Sequence, residues 1–380
     1  MKIAYVTTYE SNNINNFSGT GYYIARALER QSINIKYICP LKEANSLFFK
    51  SKQYLYLKIF NKKFIRDREP FVLKSYAKQV ASKLSSHEID YIFSPGTIPI
   101  SYLEHEKPIA FWTDATFAGM INFYPSFTNL CKETIYKGNA MEKMSLERCR
   151  VAIYCSEWAA QTAINNYKIN PEKIHVVPFG ANLECNRNVD DIKDIVSSRP
   201  ANVCKLLFVG KDWFRKNGNL ALDVAKCLNK SGIKTELHIV GCKPIVNESL
   251  PKYVELHGFL DKALKEGINK LNRLFAESHF LILPSVSESY GSVICEASSY
   301  GVPSITTNVG GITTAVKDGF NGKTFSKDAS IEEYCTYIFN LWSNYSEYKK
   351  LALSSFNEYQ SRLNWTIAGK NVKKILEDTI

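Results

Sequence analysis

No run of about eighteen apolar residues occurs anywhere in the 380-residue chain, so no transmembrane helix is predicted. The N-terminal stretch MKIAYVTTYE has a single lysine and a short apolar run. That is too little for a secretory signal and suits a first β-strand. None of the ten cysteines (39, 131, 149, 155, 185, 204, 227, 242, 295 and 335) stands in a CxxC pair, which removes the usual zinc and thioredoxin-like patterns. Several lie inside apolar runs, as Cys39 and Cys155 do, and read as reduced, buried thiols of a cytoplasmic protein. The six histidines show no pairing in sequence. No Asp-x-Asp metal motif stands at a strand end, and no full dinucleotide-binding glycine fingerprint is present.

What is present is ordinary globular material. At roughly 100–200 residues per domain, the length predicts two domains or one large one. The 45% hydrophobic share is too high for a disordered chain. Charge is uneven. Of a net +11, eight lie between Ser46 and Leu84, where ten Lys and Arg face only Asp67 and Glu69. That segment interleaves its cations with Leu47, Phe48, Phe49, Tyr54, Leu55 and Leu57, among other apolar residues. Such a stretch suits an anionic membrane surface, an anionic acceptor such as a lipid-linked phosphate, or a helix face with snorkelling lysines. It carries no groove-reading motif, so nucleic acid is not expected.

Short, β-branched, nearly continuous apolar runs alternate with helical patterns: Lys2–Thr8, Ile35–Cys39, Tyr91–Ser94, Pro108–Thr113, Val151–Cys155 and Lys173–Pro178. These are strands covered on both faces, hence an α/β fold with parallel sheets. The rhythm lapses after Gly180, where 183–203 reads as a polar linker, and resumes with strands at Lys205–Val209, Glu236–Val240, Tyr253–His257, Phe280–Leu283 and Ser304–Thr306. The expected division is 1–182, a linker 183–203, 204–360, and a helix 361–380 that crosses back to the first domain.

The stretch from Phe280 to Thr307, FLILPSVSESYGSVICEASSYGVPSITT, runs from strand through proline and loop into a helix near Ser292. Ligands of open α/β sheets bind beyond the carboxyl ends of strands, and the N–H groups of Ser292 and Val293 at a helix start suit a phosphate. At about 1.5 Å per residue, Glu288 and Glu296 lie up to about 12 Å apart along the axis. Glycosidase carboxylates need about 5–9.5 Å, so this spacing disfavours a two-carboxylate hydrolase. By itself the pair also fits two solvated helix charges; the order of strand, proline, loop, Glu, Tyr-Gly, helix, Glu-Ala and Gly-Val-Pro is the stronger signal.

SESYGSVICEASSYGVP resembles the signature of retaining glycosyltransferases of family 4, which have the GT-B architecture of two facing Rossmann-like domains. FVGKDWFRKNG (Phe208–Gly218), HGFL (His257–Leu260), TTNVGGITTAVKDGFNG (Thr306–Gly322), FSGTGYYIARAL (Phe17–Leu28) and VVPFGAN (Val176–Asn182) are similar to further segments of that family. The resemblance implies a sugar transferred from a nucleoside-diphosphate sugar, UDP favoured over GDP, to a hydroxyl acceptor with retention of configuration. It implies that Glu288 binds donor-sugar hydroxyls, Glu296 the ribose, and the Ser292 and Val293 backbone the distal phosphate. Lys216, Arg215 and Lys211 fall in the diphosphate-binding segment with Gly210, Phe259 lies beside the nucleobase, and Tyr290 and Gly291 belong to the donor loop. Gly19, Thr20 and Gly21 correspond to the N-domain glycine loop that closes over the donor diphosphate. With Arg and Lys available, neither metal nor cofactor is expected, the nucleotide-sugar being a substrate.

One departure concerns IAFWTDATF, where many family members carry a histidine and this chain carries Asp114. Asp114 either orients an acceptor or donor hydroxyl, acts as a base, or caps the following helix. The expected acceptor is a glycan, a lipid-linked group or a protein, in bacterial glycan or glycoconjugate synthesis, and the expected location is cytoplasmic with peripheral contact at the inner membrane face. A nucleotide-sugar epimerase of the same fold and a catalytically silent binding subunit are the competing readings.

Overall fold

A computed structural model describes residues 1–44, 47–84 and 89–379. Ser46, at the start of the basic segment, and Ile380, at the end of the expected C-terminal helix, lie outside the described residues. The chain divides into two compact units, Met1–Val177 with Ala368–Ile380, and Pro178–Ile367.

The first unit holds β1 (Lys2–Val6), β2 (Asn34–Ile38), β3 (Tyr91–Ser94), β4 (Ile109–Thr113), β5 (Val151–Tyr154) and β6 (Ile174–Val176). They form one sheet in the order β2-β1-β3-β4-β5-β6, parallel throughout. The second unit holds β7 (Cys204–Val209), β8 (Thr235–Val240), β9 (Val254–Gly258), β10 (Phe280–Leu283), β11 (Ser304–Thr307) and β12 (Gly322–Phe325). Its order is β12-β11-β10-β7-β8-β9, again parallel. Parallel strands need crossovers, and helices on both faces supply them. The central strands β4, β5, β10 and β11 are therefore buried at every position, while edge strand β9 is half exposed.

The second sheet reverses direction between β7 and β10. The chain moves outward through β8 and β9, then returns to lay β10, β11 and β12 on the other side. The carboxyl ends of β7 and β10 therefore lie side by side where the strand order switches, the usual ligand position of such sheets. In the first sheet β1 lies between β2 and β3, so the same reversal follows β1.

Three expectations change. The segment expected as a linker contains the helix Val189–Ser198, whose Ile192 and Val196 enter the core of the second unit. Two of its three aspartates belong to the first turn: Asn188 caps the backbone of Asp190 and Asp191, and Asp191 caps Asn188 in return. Strand β12 was not anticipated, because four residues opened by Gly322 give no apolar run. Of the cysteines expected to be buried, Cys39, Cys185, Cys227 and Cys242 are only half-buried; all ten are free thiols.

The C-terminal segment is helical as expected, with helices Ile331–Ser343, Tyr345–Arg362 and Trp365–Glu377. The last begins in the second unit and belongs to the first from Ala368 onward. There Lys373 donates to the Gln31 carbonyl at 3.0 Å, and the Tyr91 and Thr379 hydroxyls meet at 2.8 Å. Among the described residues no helix is long and apolar enough to cross a membrane.

Glu142 is a buried carboxyl in the first unit, 2% exposed, that accepts a 2.8 Å hydrogen bond from Thr97. Burial raises its pKa to about 7, against the opposing pull of Thr97 and Arg68. The folded chain thus keeps a proton that the unfolded chain releases near pH 4.5. This contribution to stability is complete below the unfolded value and falls by roughly 3 kcal/mol as pH rises through the folded one. Glu142→Gln keeps the acceptor for Thr97 and cannot ionise. In urea unfolding, the stability of the variant relative to wild type is expected to rise by about that amount between acid and neutral pH. A difference that does not move with pH would show that Glu142 does not hold this proton.

Candidate functional site

The loop after β7 is shaped by Trp213. Its indole is buried, lies 5.6 Å from the Phe208 ring, and donates to Asn219 at 2.9 Å. With that anchor set, Lys216 turns inward to 7% exposure, Arg215 is half-buried, and Lys211 stays outside. The loop after β10 reaches the helix Ser292–Ser298 through Gly291, whose φ of +85° is a left-handed value that favours glycine.

These two loops are laced together. Val286 N–H donates to the Arg215 carbonyl at 2.8 Å, and Arg215 Nη1 returns a 2.8 Å bond to the Ser287 carbonyl. Arg215 Nη1 also lies 3.4 Å from Glu288 Oε2, on which Lys216 Nζ forms a direct ion pair. The Gly311 N–H donates to the Glu288 carbonyl at 3.1 Å and brings in the turn after β11. Burial alone would raise the Glu288 pKa, but Lys216 and Arg215 outweigh it and hold the carboxyl below its ordinary value. Lys216 falls below the usual lysine value, chiefly through burial, with Glu288 pulling it up and Arg215 pushing it down. Two cations and one carboxylate thus share a buried site at the carboxyl ends of β7 and β10.

Glu296, 3% exposed, lies one helix further in and is paired with Lys262 Nζ at 2.5 Å. Burial raises its pKa against the pull of Lys262. Lys262 also donates to the Asn182 carbonyl at 3.4 Å. The sequence reading missed Lys262; it lies just beyond HGFL, and only the folded loop brings it to Glu296. Tyr290, expected among donor contacts, turns its side chain inward. It is 2% exposed, and its hydroxyl donates to the Phe179 carbonyl at 2.8 Å, so it braces the turn at Phe179. Phe259 is 58% exposed, with Lys211 Nζ 4.8 Å from its ring centre. Gly210 follows β7 directly, and half-buried Ser292 and Val293 present the open N–H end of their helix.

In the first unit the loop after β1 is strained. Phe17 and Ser18, with φ of 48° and 55°, precede Gly19 at 85°. Such values in non-glycine residues mark positions held by their surroundings. Thr20 then opens the helix Thr20–Glu29. A side chain on Gly21 would meet the Tyr9 hydroxyl at 2.3 Å, so only glycine lets Tyr9 lie there. Among the described residues that buried hydroxyl has no hydrogen-bond partner, and burial followed by the Asp114 charge raises its pKa. Asp114 leaves the end of β4 half-buried. The helix after it, Phe117–Met120, is capped by Thr116, which accepts from Gly119 N–H at 3.0 Å. The capping alternative for Asp114 is thereby set aside.

The histidines are not all unpaired. His238 Nδ1 and His257 Nε2, on neighbouring strands β8 and β9, lie 3.1 Å apart, and Glu255 lies 3.4 Å from the former. Among the described residues this is the one group of three able to bring ligand atoms to a common metal. The two nitrogens face each other at hydrogen-bond distance, with burial lowering the pKa of both rings. A neutral donor–acceptor pair accounts for this contact.

Residues 204–344 match the family described as "Glycosyl transferases group 1". The chain is 27% identical over 168 residues to a UDP-Gal:alpha-D-GlcNAc-diphosphoundecaprenol alpha-1,3-galactosyltransferase of Escherichia coli, covering 43% of each. The chain spans two fifths to a half of the length of the first curated relatives it matches, at 43%, 49% and 39%. Over its whole length it superposes on a lipopolysaccharide outer core galactosyltransferase with a TM-score of 0.66 at 14% identity, covering all of that chain. An Anabaena protein solved with UDP gives 0.66 at 15% identity, again with both chains fully covered. The fold is that of the GT-B glycosyltransferases.

Removing one partner of a buried ion pair strands the other, at a cost of about 3–5 kcal/mol. Lys216→Met is expected to lose about that much stability, because Arg215 reaches Glu288 only at its longer distance. The double variant Lys216→Met/Glu288→Gln is expected to recover at least about 1 kcal/mol of the summed single losses. Urea unfolding of the four chains measures this; strictly additive losses would mean that the pair is not coupled.

Proposed function

We propose that the chain transfers a sugar from a UDP-sugar to a hydroxyl acceptor with retention of configuration, as a retaining enzyme of glycosyltransferase family 4. One observation carries the reading: Lys216 and Arg215 are gathered on Glu288 beyond the carboxyl ends of the neighbouring strands β7 and β10. The family match to 204–344, the UDP-sugar named for the Escherichia coli relative and the UDP bound to the Anabaena protein support it.

In this reading the donor diphosphate takes Lys216 and Arg215 away from Glu288, and phosphate oxygens replace the carboxylate. Glu288 is then released toward hydroxyls of the sugar. The Ser292 and Val293 N–H groups receive the distal phosphate. Glu296 holds the ribose, with Lys262 fixing its carboxylate, and Phe259 flanks the base with Lys211 and Gly210 beside it. During transfer the bond from the anomeric carbon to the phosphate oxygen breaks and a bond to the acceptor oxygen forms on the same face. The acceptor proton passes to the departing diphosphate, whose growing charge the two fixed cations stabilise. The glycine loop Gly19–Gly21 serves the donor, and Asp114 orients an acceptor or donor hydroxyl or acts as a base. Ten free thiols fit a reducing compartment, and we place the enzyme in the cytoplasm.

Melting curves with UDP, GDP, ADP and CMP test the donor. At a hundred times its dissociation constant a ligand adds about 2.7 kcal/mol, a shift of a few degrees. UDP is expected to give that shift, and Lys216→Met to lose it. A chain that responds to none of the four is not a nucleotide-sugar transferase. Glu288→Ala is expected to keep the UDP shift while transfer falls about a hundredfold or more, the scale of losing a transition-state contact. Transfer within a few-fold of wild type would remove Glu288 from the sugar site. Because Lys216 and Arg215 carry the charge, transfer is expected to persist in EDTA; loss of activity restored by a divalent cation would assign that charge to a metal.

A further inference from the structure

The helix Leu47–Ile59 in the first unit has no buried residue, unlike the other long helices of its sheet. One narrow face holds it down. Phe49, Lys52, Gln53 and Tyr56 recur at helical spacing. The Phe49 ring lies 6.5 Å from Phe64, Tyr56 stacks on Phe64 at 5.5 Å, and Gln53 donates to the Phe64 carbonyl at 3.2 Å. Lys52 pairs with Glu133 at 2.6 Å. The attachment is specific, so the helix is fixed with its other faces outward.

Those faces carry Leu47, Phe48, Tyr54, Leu55, Leu57 and Ile59, exposed between 47% and 81%. Scattered exposed apolar residues need no explanation, but six on one short helix mark a surface that meets something. Lys50 and Lys58 lie among them on the exposed side, without an ion pair among the described residues. Phe60 and Phe71, each 58% exposed, continue the apolar surface at the helix end and beside Phe49.

We propose that this helix is an interfacial anchor whose outer face enters an anionic phospholipid surface, its apolar side chains reaching the acyl boundary and its lysines the head groups. Charge decides among occupants. The segment from 46 to 84 carries eight of the chain's eleven excess positive charges. A second copy would set that excess against itself, whereas an anionic bilayer supplies the opposite charge over a broad area. The anchor does not depend on the reaction assigned to the second unit, and its test uses binding alone.

Flotation of the full chain with vesicles of phosphatidylcholine and phosphatidylglycerol, against phosphatidylcholine alone, tests it. Wild type is expected to partition at least about tenfold better onto the anionic vesicles, and to lose most of that preference in high salt. Phe48→Ser/Leu55→Ser is expected to cut binding at least about tenfold, and Lys50→Glu/Lys58→Glu by a similar factor. All four positions point outward, so both variants should keep the wild-type melting point and its response to UDP. Lys230→Glu/Lys327→Glu, the same charge change on the second unit, should leave binding unchanged. The proposal is overturned if wild type ignores anionic vesicles, if the helix variants bind as wild type does, or if the control pair weakens binding equally. It is also overturned if light scattering finds a dimer that Phe48→Ser/Leu55→Ser converts to monomer, since a second copy would then cover the face.

Discussion

A buried carboxylate held by two cations governs the second unit. Glu288 and Lys216 are each over nine-tenths buried, and neither charge is tolerable there without the other. Everything that fixes the loops after β7 and β10 serves to keep them matched: the buried Trp213, the reciprocal bonds between Arg215 and residues 286–287, and the N–H of Gly311 on the Glu288 carbonyl. The sheet order makes this match possible, because β7 and β10 are hydrogen-bonded neighbours despite the seventy residues of chain between their ends. A charge cluster of this kind is an expensive way to stabilise a fold and a sensible way to hold cations ready. Their desolvation is met during folding, so an incoming anion need not drive it.

The second constraint is the strained loop after β1. Left-handed values at Phe17 and Ser18 cost energy that only a well-determined surrounding can hold. Part of that surrounding is visible. Tyr9 lies against Gly21, where no side chain would fit, and its hydroxyl is buried beside the Asp114 charge. The carboxyl ends of β1 and β4 therefore hold an unsatisfied hydroxyl, a carboxylate and a strained turn within one region of the first unit. The strained turn and the unpartnered hydroxyl each cost energy, so local consistency is given up here for something other than packing.

Legibility followed the strength of the local signal. Apolar runs such as FLIL and IAFWT announce buried parallel strands, since they need no partner to be read. Glu288, Lys216 and Asp114 stand out because they follow such strands, where open sheets usually place ligands, and the fold does bring Glu288 and Lys216 together. What escaped depends on distant partners. The polar composition of 183–203 hid a helix whose local signs are short, Asn188 with Asp191 as a cap and Val189, Ile192 and Val196 at helical spacing; entry of Ile192 and Val196 into a core built elsewhere settles it. Lys262 becomes relevant through Glu296, thirty-four residues away. Tyr290 read as part of the donor loop because of its neighbours, yet its hydroxyl is spent on Phe179. The His238–His257 contact arises from strand pairing across β8 and β9, to which spacing along the chain gives no clue.

The arrangement also bears on how a donor would be discriminated. With Lys216 and Arg215 already bonded to a carboxylate, an entering anion exchanges one set of charge-assisted bonds for another. A single weak anion gains little from that exchange, because it must match what Glu288 already provides. A diphosphate brings more charge and more acceptor oxygens, so it can occupy both cations and still meet the N–H groups at the start of the helix Ser292–Ser298. The carboxylate set free remains buried and needs donors of its own, and sugar hydroxyls are groups of that kind. In the proposed reading, recognition of the phosphates and of the sugar would be two halves of one exchange: a ligand lacking either half would leave a buried charge unpaired, and selectivity would follow from that cost.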